Sequence, residues 1–141
     1  MTSNLICPFG ATLVSEDFAC RHAEAVIRRG GTEIACRSPG SHARCQEAHL
    51  AMKAVALSDQ GYEDDLTQVP HSLLVKIQFG GLLGLRRITT GDGSPDNPVA
   101  DIDSLVAAAV ARYGSPADIP CAGFCADMTG YRLPGRRGRK R

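Results

Sequence analysis

Four of the chain's six cysteines lie within its first 45 residues, and their positions limit what this part of the chain can become. They are separated by 12, 15 and 8 residues, and they are Cys7, Cys20, Cys36 and Cys45. No two of them form a CxxC pair, so the pattern is not that of a zinc ribbon. Their distribution over the predicted secondary structure is therefore more informative than their spacing.

The secondary structure predicted around these cysteines alternates strands with helices. An apolar run that ends at Cys7 predicts a strand, and the acidic turn after Ser15 predicts a helix that ends at a Gly-Gly pair. A second strand is predicted to end at Cys36, and a second helix to begin at Ser41. The apolar face of that second helix consists of Cys45, Ala48, Met52 and Val55.

The predicted order places the four thiols close together. A β-α-β crossover makes its two strands parallel, and parallel strands end at the same edge of a sheet. Cys7 and Cys36 each close a strand, while Cys20 and Cys45 lie near the starts of the two helices. We therefore expect the thiols to converge on one rim, as a shared metal centre requires. The alternative left open is four ordinary buried cysteines, because free cysteine is among the most buried residue types.

The second half of the chain predicts a hairpin followed by a third helix. Leu73–Phe79 and Leu82–Thr89 are predicted as antiparallel strands, joined by a turn at the Gly-Gly pair between them. The third helix is predicted to be capped by Asp101 or Asp103. The complete order is β-α-β-α-β-β-α, which is an α/β fold with helices on both faces of a mixed sheet.

This element order resembles the thioredoxin-fold superfamily over residues 3–113. That superfamily carries a cis-proline before its third strand, and Val69-Pro70 precedes the predicted third strand here. Within the superfamily, the chain is most similar to the thioredoxin-like [2Fe-2S] ferredoxins. In those proteins one cysteine closes the first strand and another begins the first helix about a dozen residues later, as in Cys7 and the C-x-x-A-E-A-V stretch from Cys20.

The resemblance implies a thioredoxin-like fold and a [2Fe-2S] cluster held by the four N-terminal cysteines. The second cysteine pair of the family is usually C-x3-C, whereas Cys36 and Cys45 form C-x8-C. The C-x3-C spacing occurs instead at the other two cysteines of this chain. The alternative ligand set is therefore Cys7, Cys20, Cys121 and Cys125.

The chemistry of four thiolates leaves several functions open. They satisfy a [2Fe-2S] or a [4Fe-4S] cluster, and they also satisfy a tetrahedral zinc ion. We expect an electron carrier or redox sensor rather than an enzyme. One alternative is a zinc-bound or metal-free thioredoxin-fold module that docks a partner through a basic tail. The other is a thiol oxidoreductase that uses Cys7 or the pair Cys121 and Cys125.

The composition and the distribution of charge set the domain organisation and the expected partners. With 43% hydrophobic and 22% charged residues, the chain is predicted to form one domain over 1–131 with a C-terminal cysteine-containing extension. Residues 132–141 carry six basic and no acidic residues and are predicted to be a disordered tail. No signal peptide or membrane span is predicted, so a cytoplasmic protein is expected. We expect a redox partner protein, we do not expect nucleic acid or membrane as partners, and we leave homodimerisation open.

Overall fold

The fold consists mostly of helices around one small antiparallel sheet. A computed structural model of the chain describes residues 5–14, 18–29, 31–62, 69–91 and 99–132. The regular elements are α1 (Gly10–Val14), β1 (Ala23–Arg28), β2 (Gly31–Cys36), α2 (Pro39–Asp59), α3 (His71–Thr90), α4 (Ile102–Tyr113) and α5 (Cys125–Thr129). Two short 3-10 helices precede α5, at Pro116–Asp118 and Cys121–Phe124. A mixed content of helix and strand is therefore confirmed, but the thioredoxin order is not.

The sheet is a hairpin rather than a parallel pair. Strand β1 pairs antiparallel with β2, from Ala23 opposite Cys36 to Arg28 opposite Gly31. The helix predicted over this part of the chain is therefore wrong, because Ala23–Arg28 is a strand. The prediction followed apolar spacing and overlooked that only two residues separate two runs with β-branched residues, which is a hairpin signal.

The predicted helices at α2 and α4 are confirmed. Helix α2 begins earlier than predicted, because Ser38 is its N-cap and the Ser38 side chain accepts a hydrogen bond from the backbone N–H of Ser41. Its buried face includes Cys45, Ala48 and Met52 as the spacing predicted. Helix α4 has Asp101 as its N-cap and runs for 12 residues. In both cases the periodic apolar face agreed with the structure, and for α4 the capping residue did as well.

Helix α3 replaces the predicted Leu73–Phe79 and Leu82–Thr89 hairpin, which is wrong. The whole of His71–Thr90 is one helix, and the glycine pair lies in its middle. The glycines serve close packing, because a Cβ on Gly80 would lie 2.1 Å from the Asp127 carbonyl oxygen and one on Gly84 would lie 2.6 Å from the Phe124 Cβ. A glycine pair inside a long apolar run therefore marks the approach of another segment here, not a turn.

One hydrophobic core lies between helices α2, α3, α4 and α5, and part of the sheet packs against it. Phe9, Met52, Ile77, Leu82, Val106 and Phe124 are fully buried in it. At the end formed by α3 and α5, Arg87 binds the Asp127 carboxylate with its Nη2 atom at 2.7 Å and its Nε atom at 3.2 Å. This core positions the N-terminal ends of α2 and α4 against the sheet.

Three further expectations concern the termini, the membrane and Val69-Pro70. The basic tail predicted for 132–141 lies outside the described residues except for Arg132. In the described part of the chain, no helix has both the length and the apolar composition that crossing a membrane requires. The cis peptide expected at Val69-Pro70 is wrong, because none of the described peptide bonds is cis.

Candidate functional site: a cavity lined by four cysteines

A cavity between the sheet and the N-terminal ends of α2 and α4 is lined by four cysteines. They are Cys7, Cys20, Cys36 and Cys45. The rest of the wall consists of Pro8, His22, Ala23, Ala35, Ser41, His42, Ile102 and Asp103. The free space between these atoms is about 310 Å³ when open solvent at the mouth is included. The predicted convergence of the four thiols is thus present, although the secondary structure that produces it differs from the prediction.

The sheet places Cys7 and Cys36 on one face. The backbone N–H of Cys7 donates to the Ile34 carbonyl at 2.9 Å, and that of Cys36 donates to the Leu5 carbonyl at 2.7 Å. Ile6 forms an antiparallel bridge with Ala35 between these two hydrogen bonds. The two cysteines are therefore diagonal neighbours across an antiparallel pair, with a typical separation of about 7–8 Å. Antiparallel pairing therefore brings Cys7 and Cys36 close together, whereas the sequence predicted that parallel strands would do so.

The loop that contains Cys20 is fixed to the start of α4. Ala19 donates its backbone N–H to the Val99 carbonyl at 3.1 Å, and its own carbonyl accepts from the Ile102 N–H at 2.8 Å. The Arg21 side chain next to it binds the Asp101 carboxylate at 2.7 Å. Together these contacts hold Cys20 beside the backbone N–H groups of the first turn of α4, which have no acceptor within the helix.

Helix α2 contributes the fourth thiol and supports two of the others. Cys45 lies in the second turn of α2 and is only 6% exposed. The Cys36 thiol donates to the Ser38 carbonyl at 3.3 Å, just before α2 begins. His42 Nε2 lies 3.0 Å from the Ile6 carbonyl oxygen, so it carries the proton when it makes this hydrogen bond. The first turns of α2 thus bind the segment that precedes Cys7.

Burial and mutual proximity keep the thiols of Cys7 and Cys45 protonated. Burial raises the pKa of Cys7 to about 11; a hydrogen bond from the Phe9 backbone lowers it, and the Cys20 and Cys36 thiolates raise it. Burial likewise raises the pKa of Cys45 to about 12, with further contributions from Cys7 and Cys20. The thiols therefore lie close enough for the charge of one to oppose the ionisation of another.

Cys20 differs because backbone donors face its sulfur. Burial raises its pKa, and hydrogen bonds from the backbone N–H groups of His22 and Asp103 oppose that rise. The nearby carboxylates of Asp101 and Asp103 raise the pKa again. Backbone N–H donors of this kind stabilise a thiolate. Cys20 is thus the thiol of this group with two backbone amides directed at its sulfur.

A buried carboxylate lies at the wall of the cavity. Asp103 is 8% exposed, and its Oδ1 atom accepts a hydrogen bond from Arg44 Nη2 at 2.7 Å. His22 Nε2 lies 3.5 Å from its other oxygen, and Arg21 Nε lies 4.0 Å from it. Burial raises the pKa of Asp103, but hydrogen bonds from Ser41 and Arg44 and the charges of Arg44 and His22 lower it overall.

From the sequence, Asp103 is predicted only as a possible helix cap. The sequence does contain one signal for a further role, namely a second acidic residue two positions after Asp101. Because Asp101 already occupies the capping position, the Asp103 carboxylate is not needed as a cap. Nothing in the sequence showed that this carboxylate would meet Arg44, because the two residues lie 59 positions apart.

The alternative ligand set is not brought together. Cys121 is 3% exposed and belongs to the hydrophobic core. Cys125 lies beside Ala54, Val55 and Asp59, near the end of α2. Cys45 and Asp59 are 14 residues apart on α2, which corresponds to about 21 Å along the helix. Cys121 and Cys125 are therefore at the opposite end of α2 from the cavity that Cys7 and Cys20 line.

The arrangement is not that of a single-ion site as it stands. Among the described residues, no three His, Cys, Asp or Glu side chains are placed to hold one metal ion. Comparisons with models of protein families, with curated proteins and with solved structures find no match to this chain. Fold and site define a mostly helical protein with a small antiparallel sheet and a cavity lined by four thiols.

Proposed function

We propose that this protein binds an iron–sulfur cluster through Cys7, Cys20, Cys36 and Cys45 and uses it for single-electron transfer or redox sensing. The observation that carries the proposal is the convergence of four of the six cysteines on one cavity, from four separate segments of the chain. The thioredoxin topology is not part of the proposal, because the observed element order is different.

The residues around the cavity fit an iron–sulfur cluster. Such clusters are held by four cysteine thiolates, and hydrogen bonds to the sulfurs help to set their potentials. Backbone N–H groups of Phe9, His22 and Asp103 are directed at the sulfurs of Cys7 and Cys20. Pro8, Ala23 and Ile102 supply apolar parts of the wall. A bound cluster would supply the ability to accept and release one electron.

One charge near the cavity, that of Arg44, also suits an anionic centre. The Arg44 charge lowers the pKa of Cys45, so it stabilises the Cys45 thiolate. Arg44 Nε is buried and has no hydrogen-bond partner within the described residues. A buried donor without an acceptor is costly, and a negatively charged group bound nearby offsets part of that cost electrostatically. Both observations favour a site that is occupied by negative charge when it functions.

Binding requires two changes in the thiols themselves. Each ligand loses its proton, so cluster uptake releases protons and becomes weaker as the pH falls. The cavity interior has room for about one water molecule, so the cysteine side chains must also rotate outward around a cluster. We propose [2Fe-2S] as the cluster type, with [4Fe-4S] and zinc as the competing occupants of the same four thiols.

A thiol oxidoreductase is the less favoured alternative. Reactive cysteines usually have a depressed pKa, because the thiolate is the nucleophile. Burial instead raises the pKa of Cys7 and of Cys121 to about 11.

The partner that our proposal requires is a protein that exchanges electrons with the cluster.

Purification of the full chain without oxygen tests this proposal. We expect visible absorption that bleaches on reduction, together with iron and acid-labile sulfide in the protein. The ratio of iron to protein and the electron paramagnetic resonance spectrum of the reduced protein distinguish [2Fe-2S] from [4Fe-4S]. Stoichiometric zinc without iron after growth in iron-rich medium would make the site structural. A colourless protein that also fails chemical reconstitution with iron and sulfide would refute a cluster.

A further inference from the structure

The ion pair between Asp103 and Arg44 lies beside the cavity and supplies no ligand to the proposed cluster. Arg44 lies on α2, directly before Cys45, and Asp103 lies in the first turn of α4. They meet at 2.7 Å across two helices, and their side chains are 30% and 11% exposed. Asp103 is part of the cavity wall. The pair therefore places two opposite and partly desolvated charges beside the four thiols.

We propose that the Asp103–Arg44 pair sets the reduction potential of the cluster. This inference rests on the proposed function. Reduction adds one negative charge to an anionic centre, so a nearby carboxylate opposes it and a nearby guanidinium favours it. Because burial limits screening by water, each of these effects is larger than it would be at the surface. The pair balances the two effects and keeps the potential between the values that either charge alone would give.

Two contacts support this role for Asp103 in particular. Its carboxylate raises the pKa of Cys20 and of Cys45, so its charge acts on thiols contributed by two different segments. Its backbone N–H is directed at the Cys20 sulfur, and that donor does not depend on the side chain. Replacing the carboxylate by an amide therefore removes the charge and leaves the backbone donor in place. Asp103 and Arg44 are positioning and charge-setting residues, not cluster ligands.

The cationic side chains that face Asp103 come from two segments of the chain. They are Arg44 from α2 and Arg21 and His22 from the loop after Cys20. Arg21 is mainly occupied by Asp101, at 2.7 Å, and its side chain is 60% exposed. Arg44 is therefore the cation whose removal leaves Asp103 with the least compensation.

Spectroelectrochemical titration of three variants tests the inference. Asp103→Asn should raise the midpoint potential, since the carboxylate is lost and Arg44 remains. Arg44→Gln should lower it, since the carboxylate remains and loses its nearest cation. In each case we expect the ratio of reduced to oxidised cluster at a fixed ambient potential to change about tenfold, or about 59 mV for one electron. The double variant should lie between the two single variants.

A matched ion pair at the other end of the molecule provides the control. Arg87 and Asp127 also join two helices at 2.7 Å. Asp127→Asn should leave the potential at the wild-type value, and its effect should appear only in the melting temperature. The conservative variant Arg44→Lys retains the charge and should retain the wild-type potential. If Arg44→Gln does not hold a cluster, the direction of the shift in Asp103→Asn decides the question.

The outcomes separate this inference from the proposed function. A wild-type protein that takes up no cluster overturns both. A cluster with the same potential in wild type, Asp103→Asn and Arg44→Gln overturns the role of the ion pair and leaves the cluster assignment standing. Shifts of the same sign in both single variants would mean that the substitutions only loosen the site, and they would also overturn the inference.

Discussion

Buried cysteines occur at both ends of α2, but their neighbours differ. At one end, Cys45 is 6% exposed and faces a cavity with three further thiols. At the other end, Cys121 is 3% exposed and packs into the hydrophobic core. Burial raises the pKa of both thiols, to about 12 and about 11. Of these two pKa values, only that of Cys45 is also raised by other cysteines. The two thiols are therefore similarly buried, but only Cys45 has other thiols close to it.

The two ends also differ in how they are held together. At the cavity end, loops and helix starts are joined by polar contacts, such as Arg21 with Asp101 and Arg44 with Asp103. At the other end, α3 and α5 approach so closely that Gly80 has no room for a side chain. Polar contacts of the first kind can position ligands, because they fix direction as well as distance. Tight apolar packing of the second kind mainly provides stability.

The largest expected contrast comes from deleting one thiol at each end. Cys45→Ala should abolish or change the visible spectrum, because a cluster ligand is lost. Cys121→Ala should leave the spectrum unchanged. In the cluster-free protein both variants should lose a similar free energy of unfolding, about 1–2 kcal/mol, since both sulfurs are buried. Absorption spectra and chemical denaturation measure the two effects, and an unchanged spectrum in Cys45→Ala would remove the distinction between the two ends.

The next effect tests the tight packing of α3 against α5. A Cβ on Gly80 would lie 2.1 Å from the Asp127 carbonyl oxygen and 2.7 Å from the Met128 Cα. Backbone atoms do not yield easily, so Gly80→Ala should lower the free energy of unfolding by about 2–3 kcal/mol. Gly123→Ala is the control, because no atom lies within 4 Å of the position that its added methyl group would take. Equal stability of the two variants in urea titrations would show that α5 is not packed as described.

The thiols should make the cluster-free protein sensitive to alkali. The pKa values of Cys7 and Cys45 in the folded state are about 11 and 12, above the ordinary value of 9.0. The folded state therefore retains these protons more strongly, and its stability should fall as the pH rises from about 9 towards 11–12. Cys7→Ala should reduce this fall, because one group disappears and the Cys45 thiolate loses a repelling neighbour. Thermal melts between pH 8 and 11 should show a smaller slope, and an unchanged slope would contradict the coupling.

The smallest expected effect concerns the acid range at the cavity end. Burial, with a smaller contribution from Lys53, lowers the pKa of His49 to about 4, and the His49 ring meets the Phe9 ring at 5.3 Å. Because the unfolded state binds the proton more readily, stability should fall as the pH drops from about 6.5 to 4. His49→Phe should reduce this loss. The same acid slope in wild type and His49→Phe would mean that His49 is not held neutral.

Much of the helical framework and strand β2 could be predicted from the sequence, whereas β1, its antiparallel pairing with β2 and helix α3 could not. Helices α2 and α4 have both a capping residue and a periodic apolar face, and these local signals agree. Helix α3 has apolar residues on most positions of a 20-residue run, so periodicity does not distinguish a helix from two buried strands. Its glycine pair was interpreted as a turn because the approach of Asp127, 47 positions after Gly80, is invisible in the local sequence.

The sequence predicted that the four cysteines group together. The predicted cause was a parallel strand pair, and the structure groups them by other contacts. The sequence pattern predicted that Cys7 and Cys36 meet because each closes a parallel strand, and the structure has no parallel pair among its described strands. Cys45 follows near the start of α2, a helix that the sequence marks well. The antiparallel ladder between residues 5–7 and β2 is what places the first two on one face. The predicted role of these cysteines as cluster ligands remains a proposal, and so does the identity of the cluster.

The sequence by itself determined which residues of this protein bear thiols and charges, and that helices form at α2 and α4, because those features depend on neighbours within a few positions. The tertiary structure decided that Cys20 lies against the start of α4, that Asp103 meets Arg44, and that Cys121 is far from the cavity. These contacts join residues far apart along the chain. Their free energy depends on how whole elements pack, and no local pattern encodes it.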